Sequence, residues 1–281
     1  MIKVLNAGLF STIQDKGRFG FRNQGVPVSG AMDSISAFFA NALLRNKEDA
    51  AVLEITLLGP KLLFETSTYF VLTGANLSPQ LNEQSIVNYK VYLAEKGSVL
   101  SFGKLQEGYR TYLGIKDGFQ SPKILGSRSF YANITEQNCL QKGDIFPITS
   151  NNNYIDTNAI LKPPLFYKNA ILEVYKGPEF DWFKEAEQTH FLTTPYRVSK
   201  KNNRMGYQLE GQKVTHQYSM ITSPVLPGTV QLPPSGLPIV LMRDAQTTGG
   251  YPRIFQLSEQ AICVLAQKKM GDEVRFGLVD A

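Results

Sequence analysis

The first segment whose residues could support chemistry is a glycine-dense stretch near the start of the chain. It runs from Thr12 to Asp33 and contains the charged residues Asp15, Arg18 and Arg22. So many glycines and charges are unusual for a mere connection, and long irregular loops commonly carry function. The alternative interpretation is a salt-bridged Ω-loop with a structural role.

A second candidate is the sequence Gly126–Ser129, in which Arg128 stands between two serines. A guanidinium group can bind a carboxylate or a phosphate through two parallel hydrogen bonds, and the flanking hydroxyl groups could orient it. A structural arginine that donates to loop carbonyls explains the same residues equally well.

Two more candidates lie in the second half of the chain. Arg204 follows a polar turn and precedes Gly206, which permits close approach of a ligand. The stretch from Pro227 to Pro252 is rich in glycine and threonine, most densely at 247–250. Backbone N–H groups in such a stretch could face an anion, as in an oxyanion hole. Tight turns in a barrel would account for many of the same glycines.

Motifs for several cofactors are missing from the sequence. The segment from Gly97 to Lys104 lacks the spacing and the hydroxyl of a P-loop, so it is interpreted as a hairpin. Asp33 stands where a biotin carrier would need its lysine, so we expect no covalently bound biotin. The two histidines, His190 and His216, lack zinc-ligand spacing, so no metal site is predicted.

Composition narrows the class of protein and its partners. Hydrophobic residues make up 43% and charged residues 19%, which excludes a disordered chain. The net charge of +5 is small, and the lysines and arginines are scattered along the sequence. We therefore expect an anionic small molecule or an acidic partner rather than nucleic acid. With only two cysteines, Cys139 and Cys263, no disulfide framework is expected, which fits a reducing cytoplasm. Both cysteines are predicted to lie inside strands. No apolar run approaches the roughly 18 residues of a membrane helix, and no signal peptide is expected.

Short apolar runs between turn residues predict a mainly β fold. Hairpins are predicted over 52–64 and 89–102, where turn residues separate two apolar runs. Apolar spacing predicts one helix capped by Asp33 or Ser34, and a second that begins at Pro178 and ends before Pro195. The residues expected on their buried faces are Ile35, Phe38, Phe39, Ala42 and Leu43 in the first helix, and Phe180, Phe183 and Ala186 in the second.

A polar and then proline-containing stretch at 151–164 is the most linker-like part of the chain. It predicts an N-terminal β lobe at 1–165 and a C-terminal β lobe at 166–281. The terminal strands of all-β chains often return to the first sheet, so strands could interchange between these lobes.

These segments, in this order, resemble the allophanate hydrolase subunit 2 family, also called the biotin-dependent carboxyltransferase-like family. The resemblance covers residues 8–277, and its most specific parts are Gly25–Asp33, Gly126–Ser129, Arg204–Tyr207 and Thr247–Pro252. Its bacterial members include the C subunit of the ATP-dependent 5-oxoprolinase and the sporulation-linked protein KipA, and related domains form half of the carboxyltransferase part of urea carboxylase. Two motifs depart from the family pattern. Thr is usual in place of Phe130, and an Ala-Asp pair is usual in place of Gln260-Ala261.

The resemblance implies two β-rich, barrel-type lobes related to the cyclophilin-like architecture, with the ligand region between them. It also implies two partners: an allophanate hydrolase subunit 1-type protein (PxpB or KipI type) and a PxpA-like third subunit. Together they would hydrolyse 5-oxoproline to glutamate with ATP and magnesium.

The implied chemistry requires anion binding and proton transfer, because phosphorylating the lactam oxygen would create a leaving group. The anion-binding residues would be Arg18, Arg128, Arg204, Tyr207, Arg243, Thr247, Thr248, Gly249 and Gly250, and the catalytic residues Asp15, Asp33 and Asp244. Two alternatives stay open. One is carboxyl transfer from carboxybiotin on a separate carrier, and the other is a non-catalytic, KipA-like regulator that binds a kinase-inhibitor partner.

Overall fold

The computed structural model describes residues 1–149, 161–162 and 168–279, and it is mostly β with three short helices in this part of the chain. Contacts divide the chain into two units. Unit 1 comprises Met1–Arg18 and Ser29–Pro164, and unit 2 comprises Phe19–Val28 and Leu165–Ala281. Within the described ranges, no helix is both long and apolar enough to cross a membrane.

Unit 1 is built from two antiparallel sheets with its main core between them. One sheet has the strand order β11-β1-β4-β9-β6-β7 and the other β2-β3-β10-β5-β8. Buried residues of both sheets form one cluster that includes Val4, Leu62, Leu72 and Leu113. The strands are β1 Ile2–Asn6, β2 Phe10–Gln14, β3 Val52–Thr56, β4 Lys61–Phe64, β5 Thr68–Asn76, β6 Pro79–Leu81, β7 Gln84–Ser85, β8 Val91–Ala94, β9 Val99–Phe102, β10 Glu107–Ile115 and β11 Ile145–Phe146.

Neither predicted hairpin forms. The turn after β3 leads into β4 of the other sheet, and the turn after β8 leads into β9 of the other sheet. Both turns are therefore corners between sheets. The local sequence of a corner and of a hairpin can be alike, because both need turn residues between two apolar runs.

Helix α1, Ser34–Leu43, covers the second sheet and has Asp33 as its N-cap, as predicted. Its buried residues are Ser36, Ala40 and Asn41, whereas the predicted Phe38 is 47% exposed and Ala42 is exposed. Small residues face the sheet because the two elements approach closely: a methyl group at Gly114 of β10 would lie 3.1 Å from Ala40 Cβ. The buried face is therefore rotated from the one that apolar spacing predicts.

Unit 2 contains a closed barrel with the order β12-β19-β16-β17-β14-β13-β20. The last strand closes the barrel by pairing with β12 in parallel and with β13 in antiparallel orientation. A separate ribbon pairs β15 with β18. The strands are β12 Ile171–Lys176, β13 Tyr196–Asn202, β14 Gly206–Glu210, β15 Ser223–Pro224, β16 Thr229–Gln231, β17 Ile239–Leu241, β18 Thr248–Gly249, β19 Arg253–Leu257 and β20 Glu273–Leu278.

The second predicted helix is broken into two pieces. A short 3-10 turn, Phe180–Trp182, is followed by helix α2, Glu185–Thr193, with Phe183 between them. Phe180 and Phe183 are buried as predicted, but Ala186 is exposed.

The prediction that both cysteines lie inside strands was wrong. Cys263 lies buried in helix α3, Glu259–Ala266, which the sequence did not predict, and Cys139 lies in an irregular segment. The apolar run from Ala261 to Ala266 is buried all round, so it lacks the periodicity that marks an amphipathic helix.

The lobe boundary near residue 165 stays a prediction, because it and most of the linker-like stretch at 151–164 lie outside the described residues. The contacts add one feature that a single boundary does not contain, since Phe19–Val28 is grouped with unit 2.

Candidate functional site

Asp15 of unit 1 is a saturated hydrogen-bond acceptor. Its carboxylate accepts from the N–H groups of Gly17 and Arg128, at 2.8 and 2.6 Å, and from the hydroxyls of Ser127 and Ser129, at 2.5 and 2.7 Å. These four hydrogen bonds join the turn after β2 to Gly126–Ser129. This geometry favours an anchoring role for Asp15.

Arg18 and Arg128 donate to groups within unit 1. Arg18 is 1% exposed and donates to the Ser29 hydroxyl, at 3.1 Å, and to the Ser129 carbonyl. Arg128 donates to the Ser121 carbonyl and, at 2.9 Å, to Oε1 of Gln120. These contacts favour the alternative interpretation, in which the two arginines satisfy loop acceptors.

Asp33 lies at the centre of a buried polar cluster at the start of α1. Its carboxylate accepts from the N–H and the hydroxyl of Ser36, at 2.9 and 2.6 Å, and its own N–H donates to the Tyr112 hydroxyl, at 2.8 Å. Tyr112 in turn donates to Glu54, at 2.9 Å, and burial together with the nearby carboxylates raises the pKa of Tyr112 well above its usual value. Arg110 lies 3.7 Å from Glu54. The predicted site residues did not include Glu54, Arg110 and Tyr112. For Glu54 there was a signal, because it is a charged residue inside an apolar strand.

In unit 2, the structure brings two predicted site residues together as a buried ion pair. Arg204 donates to both carboxylate oxygens of Asp244, at 2.7 and 3.1 Å, and the two side chains are only 7% and 8% exposed. Arg243 pairs with Glu259, and the Tyr207 hydroxyl lies 3.5 Å from the Lys268 carbonyl. These partners occupy the groups that were predicted to receive substrate anions.

Thr247, Thr248, Gly249 and Gly250 lie along the ribbon formed by β15 and β18. Thr248 and Gly250 are exposed, and a methyl group at Gly250 would meet no atom within 4 Å. At Gly249 the same methyl group would lie 2.2 Å from Nε2 of Gln231, so a side chain there would require the Gln231 amide to move. We call β15, β18 and the adjoining Thr247 and Gly250 the Thr-Gly ribbon.

Two arginines bind consecutive carbonyls, that of Pro224 in the Thr-Gly ribbon and that of Val225 directly after it. Arg253 donates to the Pro224 carbonyl, at 3.0 Å, and is held by both carboxylate oxygens of Glu179, at 2.7 and 2.8 Å. Arg22 donates from Nη2 to the Val225 carbonyl, and the Val225 N–H donates to the Thr247 carbonyl, at 3.1 Å. Hydrogen bonding to Arg253 lowers the pKa of Glu179, whereas burial lowers the pKa of Arg22.

Arg22 is the site residue that the sequence analysis noticed but did not select. Its only signal was its place in the glycine-dense segment, on a 3-10 turn, Arg22–Gln24, that follows Gly20 and ends at Gly25. Across the described residues, no three His, Cys, Asp or Glu side chains form a group that could hold a metal ion.

The two departures from the family pattern lie at structural positions. Phe130 is buried in the unit 1 core, and its N–H donates to the Ile13 carbonyl, at 2.9 Å. Ala261 is 2% exposed in the first turn of α3, where its N–H donates to the N-cap Ser258, at 3.1 Å.

Residues 24–278 match the model of the carboxyltransferase domain family, subdomain A and B. The chain belongs to this family. The resemblance stated from the sequence motifs is thereby confirmed, and the carboxyltransferase domain spans both units.

Two curated relatives match this carboxyltransferase domain over nearly their whole length. The C subunit of 5-oxoprolinase from Escherichia coli is 37% identical over 98% of this chain and 90% of its own length. The protein of the same name from Haemophilus influenzae is 33% identical over 99% of this chain and 91% of its own length.

Solved structures share the fold but belong to longer chains. The crystal structure of TTHA0988 has a TM-score of 0.88 and 27% identity, and it covers 98% of this chain. The urea amidolyase of Kluyveromyces lactis has a TM-score of 0.89 and 29% identity, and it covers 99% of this chain. This chain spans 55% of the TTHA0988 chain and 19% of the urea amidolyase chain.

Proposed function

We propose that this chain is the C subunit of an ATP-dependent 5-oxoprolinase, which hydrolyses 5-oxo-L-proline to L-glutamate. The observation that carries the proposal is the 37% identity to the C subunit of a 5-oxoprolinase, which extends over 98% of this chain and 90% of that protein. A match that runs through both chains supports an equivalent part in an equivalent assembly. The proposed partners are the subunit 1-type protein, as the B subunit, and a third protein, as the A subunit.

The reaction needs ATP because a five-membered lactam resists attack by water. In the proposed scheme the lactam oxygen takes the γ-phosphoryl group of ATP, with magnesium balancing its charge. Water then adds to the ring carbon, the ring C–N bond breaks as the nitrogen takes a proton, and a second water hydrolyses the acyl phosphate. The products are glutamate, ADP and phosphate. We place the assembly in the cytoplasm, which suits the two free cysteines, Cys139 and Cys263.

The internal pairing of the arginines supports a requirement for partners. Arg18, Arg128 and Arg204 all donate to acceptors of their own unit, so these three predicted anion-binding groups are already engaged. We therefore propose that most nucleotide contacts come from the partner proteins and that this chain alone does not complete the site.

A reconstitution experiment tests the proposal. Purified chain, alone and mixed with its subunit 1-type partner and the third protein, is assayed for 5-oxoproline-dependent release of ADP and glutamate. We expect turnover only in the full mixture. Turnover by the chain alone would contradict the need for partners, and a full mixture that forms a complex but releases no glutamate would contradict the assignment.

Carboxyl transfer is the second candidate, and it is favoured by the TM-score of 0.89 to a urea amidolyase. Asp33 stands where a biotin carrier would have its lysine and caps α1, so a separate biotin carrier would have to deliver the carboxyl group. Consumption of carboxybiotin by the same mixture, without release of glutamate, would select this function. A mixture that shows neither activity but relieves the inhibition of a kinase would favour the function of a non-catalytic regulator.

A further inference from the structure

Arg22 differs from its neighbouring arginines in having no carboxylate partner among the described residues. Arg204, Arg243 and Arg253 each form an ion pair, with Asp244, Glu259 and Glu179 respectively. The recorded hydrogen bond of Arg22 goes to a neutral acceptor, the Val225 carbonyl. Its charge is therefore not neutralised by the described part of unit 2.

The guanidinium of Arg22 is held in place by this contact while most of its donors stay uncommitted. An arginine has five N–H donors in a planar fork, and the bond to Val225 uses one of them. Because burial lowers the pKa of Arg22, the protein partly removes this cation from water without supplying a counter-charge. A bound anion would restore the missing charge balance.

The Thr-Gly ribbon, whose strand β15 directly precedes Val225, offers a neutral donor and free space. The Val225 N–H pairs with the Thr247 carbonyl, which places the Arg22 anchor directly beside the Thr-Gly ribbon. Thr248 is exposed and offers a hydroxyl, and the space around Gly250 is open within 4 Å. Glycine at this place lets a ligand approach the backbone.

We propose that Arg22 and the Thr-Gly ribbon form a binding site for an oxyanion, a carboxylate or a phosphate group. The planar fork of arginine matches the two oxygens of either group, and the Thr248 hydroxyl adds a further donor. Oxyanion binding follows from unit 2 alone, whereas the choice of ligands below rests on the proposed function. 5-Oxoproline carries a carboxylate, and ATP carries phosphates.

Isothermal titration of the full chain with three probes tests this site: 5-oxo-L-proline, magnesium ATP and inorganic phosphate. We expect one or more of these probes to bind, and the one that binds distinguishes the carboxylate from the phosphate. Arg22→Gln should weaken that binding by about tenfold or more, the usual effect of losing a charge-assisted contact. Arg22→Lys should weaken it less because the charge remains. Arg197→Gln, the same change at an exposed residue of β13, should leave it unchanged.

Thermal unfolding separates binding from folding. If Arg22→Gln does not fold, Thr248→Val provides the test, because it removes only an exposed hydroxyl and should weaken binding several-fold. Binding by either folded variant as tight as wild type would overturn the site, as would no binding of any probe by the wild-type chain. Binding without turnover in the reconstituted mixture would instead count against the proposed function and leave the site intact.

Discussion

At the scale of single residues, the arginines of this protein act mainly as internal partners. Arg204 and Arg253 each bind a carboxylate through two nitrogens, and Arg18 binds acceptors of unit 1. Such bidentate contacts are specific in geometry and keep both charges compensated when they are removed from water. The formal net charge of +5 is the balance of 29 basic and 24 acidic residues, so it does not count the cations that are free to bind substrate.

The pair formed by Glu179 and Arg253 predicts a dependence of stability on pH. Its hydrogen bonds lower the pKa of Glu179, so this carboxylate stabilises the fold above its unfolded pKa of about 4.3, and the contribution is lost as pH falls through the folded value. Glu179→Gln should therefore be less stable than wild type at about pH 6. The difference should shrink as the pH falls from about 4.3 through the lowered folded pKa, below which Glu179 is neutral in both states.

Urea unfolding at several pH values measures this effect. Glu185→Gln, a change at an exposed position of α2, serves as the control and should follow wild type throughout. A deficit of Glu179→Gln that stays constant from about pH 6 to the lowest pH at which the protein still folds would show that the charge of Glu179 is not what stabilises the pair.

The sequence identified several of the polar residues that form networks, but not how they are connected. Asp15, Arg204 and Asp244 were all selected, yet Asp15 binds groups 112 to 114 residues away, and Arg204 and Asp244 are 40 residues apart. A side chain that binds substrate and one that binds a distant loop have the same local sequence. Arg22 was passed over because its value as a site depends on a missing partner, which only the fold reveals.

At the scale of elements, the close packing of α1 on its sheet determines which face of the helix is buried, and apolar spacing alone does not predict that face. The start of α1 followed directly from Asp33, because an N-cap is a local signal. The buried face of α1 did not follow from the local sequence. The large residues that apolar periodicity selects would keep helix and sheet apart, whereas Ser36 and Ala40 let them meet. The Thr73 hydroxyl donates to the Ser36 carbonyl, at 2.7 Å, which shows how near β5 lies.

Two substitutions of Asp33 separate its structural role from the catalytic role that the family resemblance implied. Asn is about as good an N-cap as Asp, so Asp33→Asn should retain α1 with little loss of stability, whereas Asp33→Ala should cost about 1 to 2 kcal/mol. If Asp33 only caps the helix, Asp33→Asn should also retain activity in the reconstituted mixture.

Thermal unfolding and turnover are measured on both variants. Asp33→Asn that melts like wild type but has lost turnover would show that the carboxylate takes part in the reaction. Ser258→Ala removes the equivalent cap of α3 and gives the scale for a loss of capping alone.

At the scale of the whole molecule, the mostly β fold was predictable, but its closure was not. Short apolar runs and frequent turns indicated barrel-type sheets, and unit 2 does contain a closed barrel. The pairing of β20 with both β12 and β13 joins residues far apart in sequence, Ile171 with Arg275 and Tyr196 with Val274, and no local pattern encodes such contacts.

Removing β20 should therefore unfold unit 2. A chain that ends at Asp272 loses the strand between β12 and β13, which opens the barrel and exposes two strand edges. Trp182, the single tryptophan, lies in unit 2, so its fluorescence reports on this unit. We expect no cooperative transition of this signal in urea.

A chain that ends at Val279 retains all of β20 and is the control for the loss of terminal residues. It should unfold cooperatively like the full chain. A wild-type transition of the Trp182 signal in the chain that ends at Asp272 would show that the barrel does not depend on its last strand.

The order in which the barrel closes also matters while the chain is being synthesised. β12 is synthesised well before its parallel partner β20. At about 5 to 20 residues per second, the roughly one hundred residues between them take about 5 to 20 seconds to translate. Throughout that interval the edges of β12 and β13 that β20 later covers stay unpaired, and such edges readily join those of other nascent chains. A chaperone that shields strand edges would therefore protect this protein during the interval before β20 is available to pair.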